Sequence, residues 1–459
     1  MQSYQVDSTL HSTNLIQCGR TFRDQPMPTI STDRTDRPML TENILYEQLF
    51  NEVFTSSDTD RDQVGIEVEF FPILISHINT GAAQPGKNSG SGFIGLYPWL
   101  VLLADRHGWQ PAPVESSAAI AFTLRGGGRV TLEPGGQIEY STIPHPNSSE
   151  ALNDVEQFEQ LLREEGERVG LTFLSEGFNS HLGGETPQLV VQKPRYLLMD
   201  QHFAEIGPYG RMMMRQTCAT QINLDFGSPD VAVERWRLAN LAAPALNALF
   251  ANSPNVFHGE NYQSFRYEIW RKTDPCRTNF SYEASWSGDP IATYMSFALD
   301  ATVLAVSDPV EGFRSPSRSL TFREWMADGG DLGPDLDDWR THLTTLFPDV
   351  RPRGFIEIRS IDALSTPLRR AATELTVALL YSDQVRRGGL KLFEDQAFRA
   401  KGSPTSSWED RFSVGKRLLE IARSEENLES LIWFGSHYLK QGQISTRKLL
   451  EDADLHNLP

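Results

Sequence analysis

The stretch Leu132-Glu133-Pro134-Gly135-Gly136-Gln137-Ile138-Glu139-Tyr140-Ser141 decides how the rest of the chain is read. Pro-Gly-Gly is a turn signal. After it, a strand's period of two puts Gln137, Glu139 and Ser141 on one face and Ile138 and Tyr140 on the other. Three further segments repeat the pattern: Gly65-Ile66-Glu67-Val68-Glu69, Gln221-Ile222-Asn223-Leu224-Asp225 and Ile356-Glu357-Ile358-Arg359. In each, aliphatic residues point one way and carboxylates or amides the other. A sheet that is apolar beneath and acidic above can hold hard cations such as Mg²⁺, which take oxygen ligands. That points to an enzyme handling ATP. For any one segment taken alone, a solvated acidic strand face is the competing account.

The segments differ in weight. Val64, Ile66, Val68 and Phe70 fill the face opposite Glu67 and Glu69, while Phe71 extends the acidic one. This predicts a strand buried beneath and partly covered above. Gly135 and Gly136 would let backbone approach a ligand closely. Gln221 and Asn223 are mid-strand amides, which cost desolvation unless paired. They read as water-mediated metal ligands, as substrate hydrogen-bonders, or as a satisfied network within the sheet, and for Asp225 the last account is as good as the others. Glu357 and Arg359 form either a structural ion pair or a metal-bound carboxylate beside a guanidinium that meets a phosphoryl group. Arginine suits the second task because its fork binds phosphate oxygens bidentately. Arg266 to Arg277 carries four basic residues in twelve. There Arg266 and Trp270 either grip an amino-acid carboxylate and cover its stem, or belong to a surface loop with a packed Trp.

Composition narrows the class. The chain has 459 residues, 39% of them hydrophobic, and a net charge of −18 from 42 basic and 60 acidic residues. No basic run offsets that charge, which argues against a nucleic-acid partner. No apolar run is long enough to span a bilayer, so no membrane association is expected. An ATP enzyme can still be acidic overall, because Mg²⁺ and a few arginines neutralise phosphate locally. Cys18, Cys218 and Cys276 show neither metal-ligand spacing nor a disulfide framework, which fits a reducing cytosol. Gly86-Lys87-Asn88 is not a phosphate-binding P-loop, since the Ser or Thr and the upstream Gly are missing.

Residues 1–40 read as a disordered polar tail. Arg20, Arg23, Arg34 and Arg37 would suit an organelle leader, but Asp7, Asp24, Asp33 and Asp36 argue against one. Residues 41–459 read as a single catalytic domain. Helices are predicted at Thr41–Val53, Tyr97–His107, Ser149–Val169, Val231–Phe250 (kinked at Pro244), Phe322–Asp328, Pro367–Val385, Trp408–Arg423 and Glu426–Gln441. Strands are predicted at Val64–Leu74, within Val114–Thr142, and at Leu171–Gly177, Met212–Phe226 and Phe355–Ile361. Thr80–Gly92 reads as a mobile loop, and Asn252–Asp274 as loop with irregular strand. Without regular βαβ alternation, the fold class is α+β on a largely antiparallel sheet.

These strings resemble the glutamate–cysteine ligase family, in the branch that includes plant-type and ergothioneine-pathway enzymes. Besides the four segments, Ala251-Asn252-Ser253-Pro254 and Arg266 to Arg277 follow in the family's order, and Ile361-Asp362-Ala363 leans towards the ergothioneine branch. The resemblance spans residues 60–385. It implies a glutamine-synthetase-like curved antiparallel sheet with helices on its convex side. The implied reaction joins L-glutamate, through its γ-carboxyl, to L-cysteine at the expense of ATP. The product, γ-glutamylcysteine, forms by way of γ-glutamyl phosphate, and ADP and phosphate are released. By position, Glu67, Glu69, Glu133, Glu139 and Glu357 would bind Mg²⁺ or Mn²⁺, and Arg359 would meet ATP and the transferred phosphoryl group. Arg266 and Trp270 would hold glutamate, with Gln137, Gln221 and Asn223 as further substrate contacts. Tyr267-Glu268 departs from the family pattern, which expects a small or basic residue. The implied protein is cytoplasmic, a monomer or homodimer, with small-molecule substrates as its partners. A ligase using a different amine acceptor is the chief alternative. A non-catalytic nucleotide binder and a phosphotransferase on the same sheet are the others.

Overall fold

The computed structural model describes residues 40–55, 62–74, 95–112, 120–182, 186–308, 312–328, 333–426 and 428–439. The expected N-terminal tail up to residue 39, Cys18, the Thr80–Gly92 loop and the end of the last predicted helix lie outside them.

In chain order the first strands are β1 (Val64–Leu74), β2 (Gln110–Pro111), β3 (Ala121–Thr123), β4 (Arg129–Leu132), β5 (Ile138–Ser141), β6 (Leu171–Leu174) and β7 (Thr220–Leu224). Two small hairpins follow, β8–β9 (Asn255–Phe257, Glu260–Tyr262) and β10–β11 (Val306–Asp308, Gly312–Arg314). The last strands are β12 (Val350–Pro352) and β13 (Ile356–Ile358). The main sheet runs β12-β13-β7-β1-β5-β4-β3-β2, with β6 on the far half of β1, and all its pairings are antiparallel. The predicted antiparallel α+β architecture is what the chain adopts.

Residues directly opposite one another in an antiparallel pair share a face. Glu69 lies opposite Glu139, which lies opposite Thr131. Glu67 lies between Ser141 and Gln221, and Asn223 lies opposite Glu357, which lies opposite Arg351. Beneath them Ile66, Val68, Val130, Leu132, Ile138, Ile222, Leu224, Ile356 and Ile358 are each at most 2% exposed. Helices cover this apolar face: Ser148–Glu167 packs on β1 and β6, Thr366–Tyr381 on β7, and Pro229–Leu249 on β12 and β13. On the polar face, Phe71 finds its own small cluster with Cys218 and Ala363.

Two predicted elements change type. Tyr209–Gln216 is helical, so the strand expected from Met212 begins only at Thr220. Met212-Met213-Met214-Arg215-Gln216 does not alternate, and all five are buried, which a one-sided strand would not allow. Phe265–Thr273 is also a helix rather than a loop, capped by the Ser264 hydroxyl, which accepts from Tyr267 N. The helix predicted from a Ser149 cap is instead capped two residues earlier by Asn147, whose side chain accepts from Glu150 N.

The Pro134-Gly135-Gly136 turn serves packing rather than ligand approach. A Cβ on Gly135 would lie 2.4 Å from the Arg215 carbonyl oxygen, and Gly136 sits at φ +89°. The turn is thereby pressed onto the helix Tyr209–Gln216. Gly135→Ala should destabilise the chain by about 1–3 kcal/mol, as overpacking does, read as a lower urea midpoint; an unchanged midpoint would contradict the close contact.

Candidate active site

A cavity of about 480 Å³ opens on the polar face of the sheet. Glu67 and Glu69 from β1, Thr131 and Arg129 from β4, Glu139 from β5 and Gln221 from β7 line it, with Glu133 at the entry to the turn. The opposite walls are basic. Lys193 and Arg195 come from the start of the helix Pro194–Ile206, and Arg340 from the helix Leu336–Leu343. Arg351, Arg353 and Arg359 come from β12, the turn after it and the end of β13.

The four carboxylates Glu67, Glu69, Glu133 and Glu139 are half-exposed to the cavity but enclosed by protein. Among the described residues, none of them is in an ion pair with Lys or Arg. Asn223 Nδ2 donates to Glu67 at 2.8 Å, and Thr131 Oγ1 donates to Glu139 at 2.8 Å. Glu69 accepts from Ala219 N at 2.7 Å and from Gln221 Nε2 at 3.4 Å. Desolvation inside the cavity, then the Glu139 and Glu357 charges, push the Glu67 carboxyl up to about 7. Desolvation and Glu133 push Glu139 up to about 7. Desolvation, then Glu139 and Glu133, raise Glu69 well above the usual range, and desolvation raises Glu133 even against Lys193 and Arg195.

This is an all-oxygen donor set under mutual repulsion. Among the described residues, Gln221 Oε1, in the cavity lining, and Asn223 Oδ1, on the Glu67 partner outside that lining, have no hydrogen-bond partner. Oxygen acceptors without donors next to crowded carboxylates fit a hard divalent cation. Among the described residues, no three acidic, His or Cys side chains are already drawn into a metal cage. Neutral partners have turned three of the four carboxylates to separate hydrogen bonds.

Glu357 behaves differently. It is fully buried and does not line the cavity. Arg351 binds it at 2.5 and 3.0 Å, Arg359 at 3.1 Å and Arg353 at 3.4 Å. Burial pushes its carboxyl up, but the Arg351, Arg359 and Arg353 guanidinia outweigh that and hold it well below the usual range. Its oxygens are engaged by cationic nitrogens, not presented with those of the other four. Arg359 commits Nη1 to Glu357 and keeps a buried, unpartnered Nε.

The remaining predicted residues divide. Arg266 and Trp270 both line the cavity, one helical turn apart, with the guanidinium 4.8 Å from the ring centroid. Arg359 stands 5.7 Å from the same ring. Arg266 also donates to the Arg359 and Ser360 carbonyls, leaving Nε unpartnered. Tyr267 is buried elsewhere, and Glu268 pairs with Lys272 at 2.7 Å, so the atypical Tyr-Glu pair does not line the cavity. Gln137 reaches the cavity wall, but its amide is engaged: Nε2 donates to the Thr217 and Met214 carbonyls and Oε1 accepts from Gly135 N. It braces the turn, because both ends of the amide already have backbone partners. Asp225 accepts from Gln63 N at the strand end and is structural.

Lys193, Arg195, Arg340, Arg351 and Arg353 were not singled out from sequence. Arg351-Pro352-Arg353 does carry a period-two signal six and four residues before Glu357. Lys193 and Arg195 flank a Pro at a helix start, a position that says nothing of what the helix faces.

Together these features define an α+β protein whose antiparallel sheet forms an acidic floor under a basic-walled cavity. The chain belongs to glutamate-cysteine ligase family 2 (GCS2), whose model matches residues 101–409. β1, with Glu67 and Glu69, lies before the matched region and joins it only by strand register. Over 298 residues the chain is 32% identical to glutamate–cysteine ligase B, chloroplastic, of Oryza sativa subsp. japonica, covering 61% of this chain and 57% of that protein. It is 32% identical over 304 residues to the chloroplastic glutamate–cysteine ligase of Brassica juncea, covering 64% and 57%. The chain therefore spans under two thirds of the length of these relatives. Among solved structures, glutamate–cysteine ligase from Francisella tularensis in complex with AMP aligns with a TM-score of 0.46 at 11% identity, over 86% of both chains. The expectation of a cytoplasmic protein is corrected by these names, since the relatives are chloroplastic. The acidic residues weighed against an N-terminal leader do not decide the compartment. No helix among the described residues is long and apolar enough to cross a membrane.

The raised carboxyls make a pH prediction. A carboxyl whose folded pKa exceeds its unfolded value favours folding below the unfolded pKa, and that advantage is lost as pH rises through the folded value. Glu67 and Glu139 go from 4.5 to about 7, so the cation-free chain should lose thermal stability between pH 5 and 8 through these groups. Glu67→Gln should raise the melting temperature at pH 8 and flatten that slope. A lower melting temperature for the variant at pH 8 would contradict the electrostatic account.

Proposed function

We propose that the chain joins the γ-carboxyl of L-glutamate to the amine of L-cysteine, with cleavage of ATP to ADP and phosphate by way of γ-glutamyl phosphate, acting as one catalytic unit. The observation that carries the reading is the bipolar cavity: four enclosed, unpaired carboxylates face a wall of guanidinium groups. Family membership supports it.

A carboxylate is a poor acyl donor, so its γ-oxygen first attacks the terminal phosphorus of ATP. Phosphoryl transfer needs positioning and charge neutralisation more than covalent help from the protein. Glu67, Glu69, Glu133 and Glu139, with Gln221 Oε1, would hold Mg²⁺ or Mn²⁺, which when bound would neutralise phosphate oxygens, and Asn223 orients Glu67 from behind. Arg359, whose fork is aimed by Glu357 and which retains a free Nε, meets the transferred phosphoryl group. Glu357 is assigned to that clamp rather than to a cation, since its oxygens already carry three guanidinia. Lys193 and Arg195 extend the positive surface for the rest of the triphosphate. Trp270 and Arg266 form the wall against which glutamate is held, Arg266 through its unpartnered Nε. The amine then attacks the acyl carbon of γ-glutamyl phosphate, the amine proton is lost, and phosphate leaves.

ADP release with glutamate and a panel of amines, read together with product mass, tests the proposal. Cysteine should be the strongly preferred acceptor, and the product should be an amide lacking phosphate. Preference for another amine would move the reading to a different carboxylate–amine ligase, and a stable phosphorylated product would remove the ligase reading. Arg359→Lys should lower kcat about 100-fold or more, the scale of losing an oriented donor to developing charge, with little change in melting temperature. Arg266→Ala should raise the KM for glutamate more than that for ATP.

A further inference from the structure

The helix Phe265–Thr273 has a second cavity on another of its faces. Arg266 and Trp270 look into the charged cavity, while Arg271 lines a separate one of about 210 Å³. The share of liquid volume of one water is about 30 Å³, so this space suits a small metabolite. It is lined by Asn240 and Pro244 from the helix Pro229–Leu249, which runs through Pro244 unbroken, with Thr278, Tyr282, Ser285 and Asp349. Its mouth is framed by the exposed residues Asn279, Ser281 and Thr405.

Three features mark it as built for a ligand. Ser285 and Tyr282 are 3% and 9% exposed, and among the described residues the hydroxyl of each has no hydrogen-bond partner. The Asp349 side chain has no hydrogen-bond or ion-pair partner among the described residues. Desolvation pushes its carboxyl up to about 6, although Arg266, Arg271, Arg411 and Arg359 lie within electrostatic reach. The lining carries one carboxylate, Asp349, and one guanidinium, Arg271, whose Nη1 also donates to the Pro404 carbonyl, among neutral hydroxyls and amides. Arg411 does not line the cavity; its guanidinium lies over the Tyr267 ring and donates to the Pro404 and Ser406 carbonyls.

We propose that this cavity is a binding site for a small zwitterionic amino acid, whose ammonium meets Asp349 and whose carboxylate meets Arg271. One charge of each sign in a lining that also holds two unpartnered hydroxyls matches that class; a plain anion would meet Asp349 and a plain cation Arg271. The site shares a wall with the charged cavity. Asp349 O accepts from Arg359 N at 2.9 Å, and two residues earlier Phe347 O accepts from Trp270 Nε1 at 2.8 Å.

The test is isothermal titration of the full chain with each of the twenty proteinogenic L-amino acids. The best binder is then compared with its methyl ester and its deaminated acid. At least one amino acid should bind, and both singly charged analogues should bind at least tenfold more weakly. Asp349→Asn and Arg271→Gln should each weaken binding at least tenfold. Thr405→Trp, at an exposed position on the mouth, should block it without disturbing the fold, while Glu67→Gln in the other cavity should leave it unchanged. Absence of binding by all twenty would mean the space holds water only. Binding kept undiminished in both Asp349→Asn and Thr405→Trp would place the ligand in the charged cavity. Equal binding of either analogue would remove the zwitterion. Each of these three results overturns the proposal.

Discussion

Four like charges held on one face of a sheet are the constraint from which the rest of this structure follows. Glu69 and Glu139 are directly opposite across β1 and β5, an arrangement that is unfavourable on its own. Separation by a one-residue slip in register is not available. It would turn Ile66, Val68 and Ile138 to the cavity and drive the glutamates into the helices beneath. The buried apolar face therefore fixes where the acids stand. Their repulsion is relieved locally by Asn223, Gln221, Thr131 and the Ala219 N–H, none of which carries charge. The site stays negative and stays open to a cation because its supporting partners are neutral.

The opposite sign is assembled by the same pleat. Arg351 faces Glu357 across β12 and β13, and Arg359 shares its strand face two residues on. One carboxylate thus aligns guanidinia that would otherwise repel one another, and its depressed pKa keeps it ionised throughout any working range. A chain with a net charge of −18 can in this way present a strongly positive surface over a few ångströms. Global charge governs solubility and encounter, whereas the local field in a cavity is set by its lining.

The strands that carry the site were legible because alternation is a one-dimensional signal: Val64–Leu74 was read to the residue. The convergence of Glu67, Glu69, Glu133 and Glu139 was inferred from that alternation together with the family resemblance. What the alternation could not convey was competition for each side chain. Glu357 and Gln137 fit the acidic-face pattern, yet one is taken by arginines and the other by backbone carbonyls. The Gln137 partners, Met214 and Thr217, lie far off in sequence, while Glu357 is claimed by near neighbours whose pairing with it was one of two open readings. The helices Tyr209–Gln216 and Phe265–Thr273 were missed for a related reason. Both are buried on more than one side, so neither shows the single apolar stripe that marks a helix at a surface.

The second of those helices shows why an element's type matters for function and not only for description. Read as extended chain, Arg266, Tyr267, Glu268 and Trp270 would alternate across one surface, and an acid at 268 would stand beside Arg266 and Trp270. Wound at 3.6 residues per turn, positions 266 and 270 form one stripe and positions 267 and 271 another. Glu268 then pairs with Lys272, away from the cavity. The departure from the family pattern at 267–268 thus falls on helix faces that do not meet the charged cavity. The same winding lets nine residues divide two cavities, with Arg266 and Trp270 on one side and Arg271 on the other. The two walls are thus successive faces of one nine-residue helix, with no other element between them.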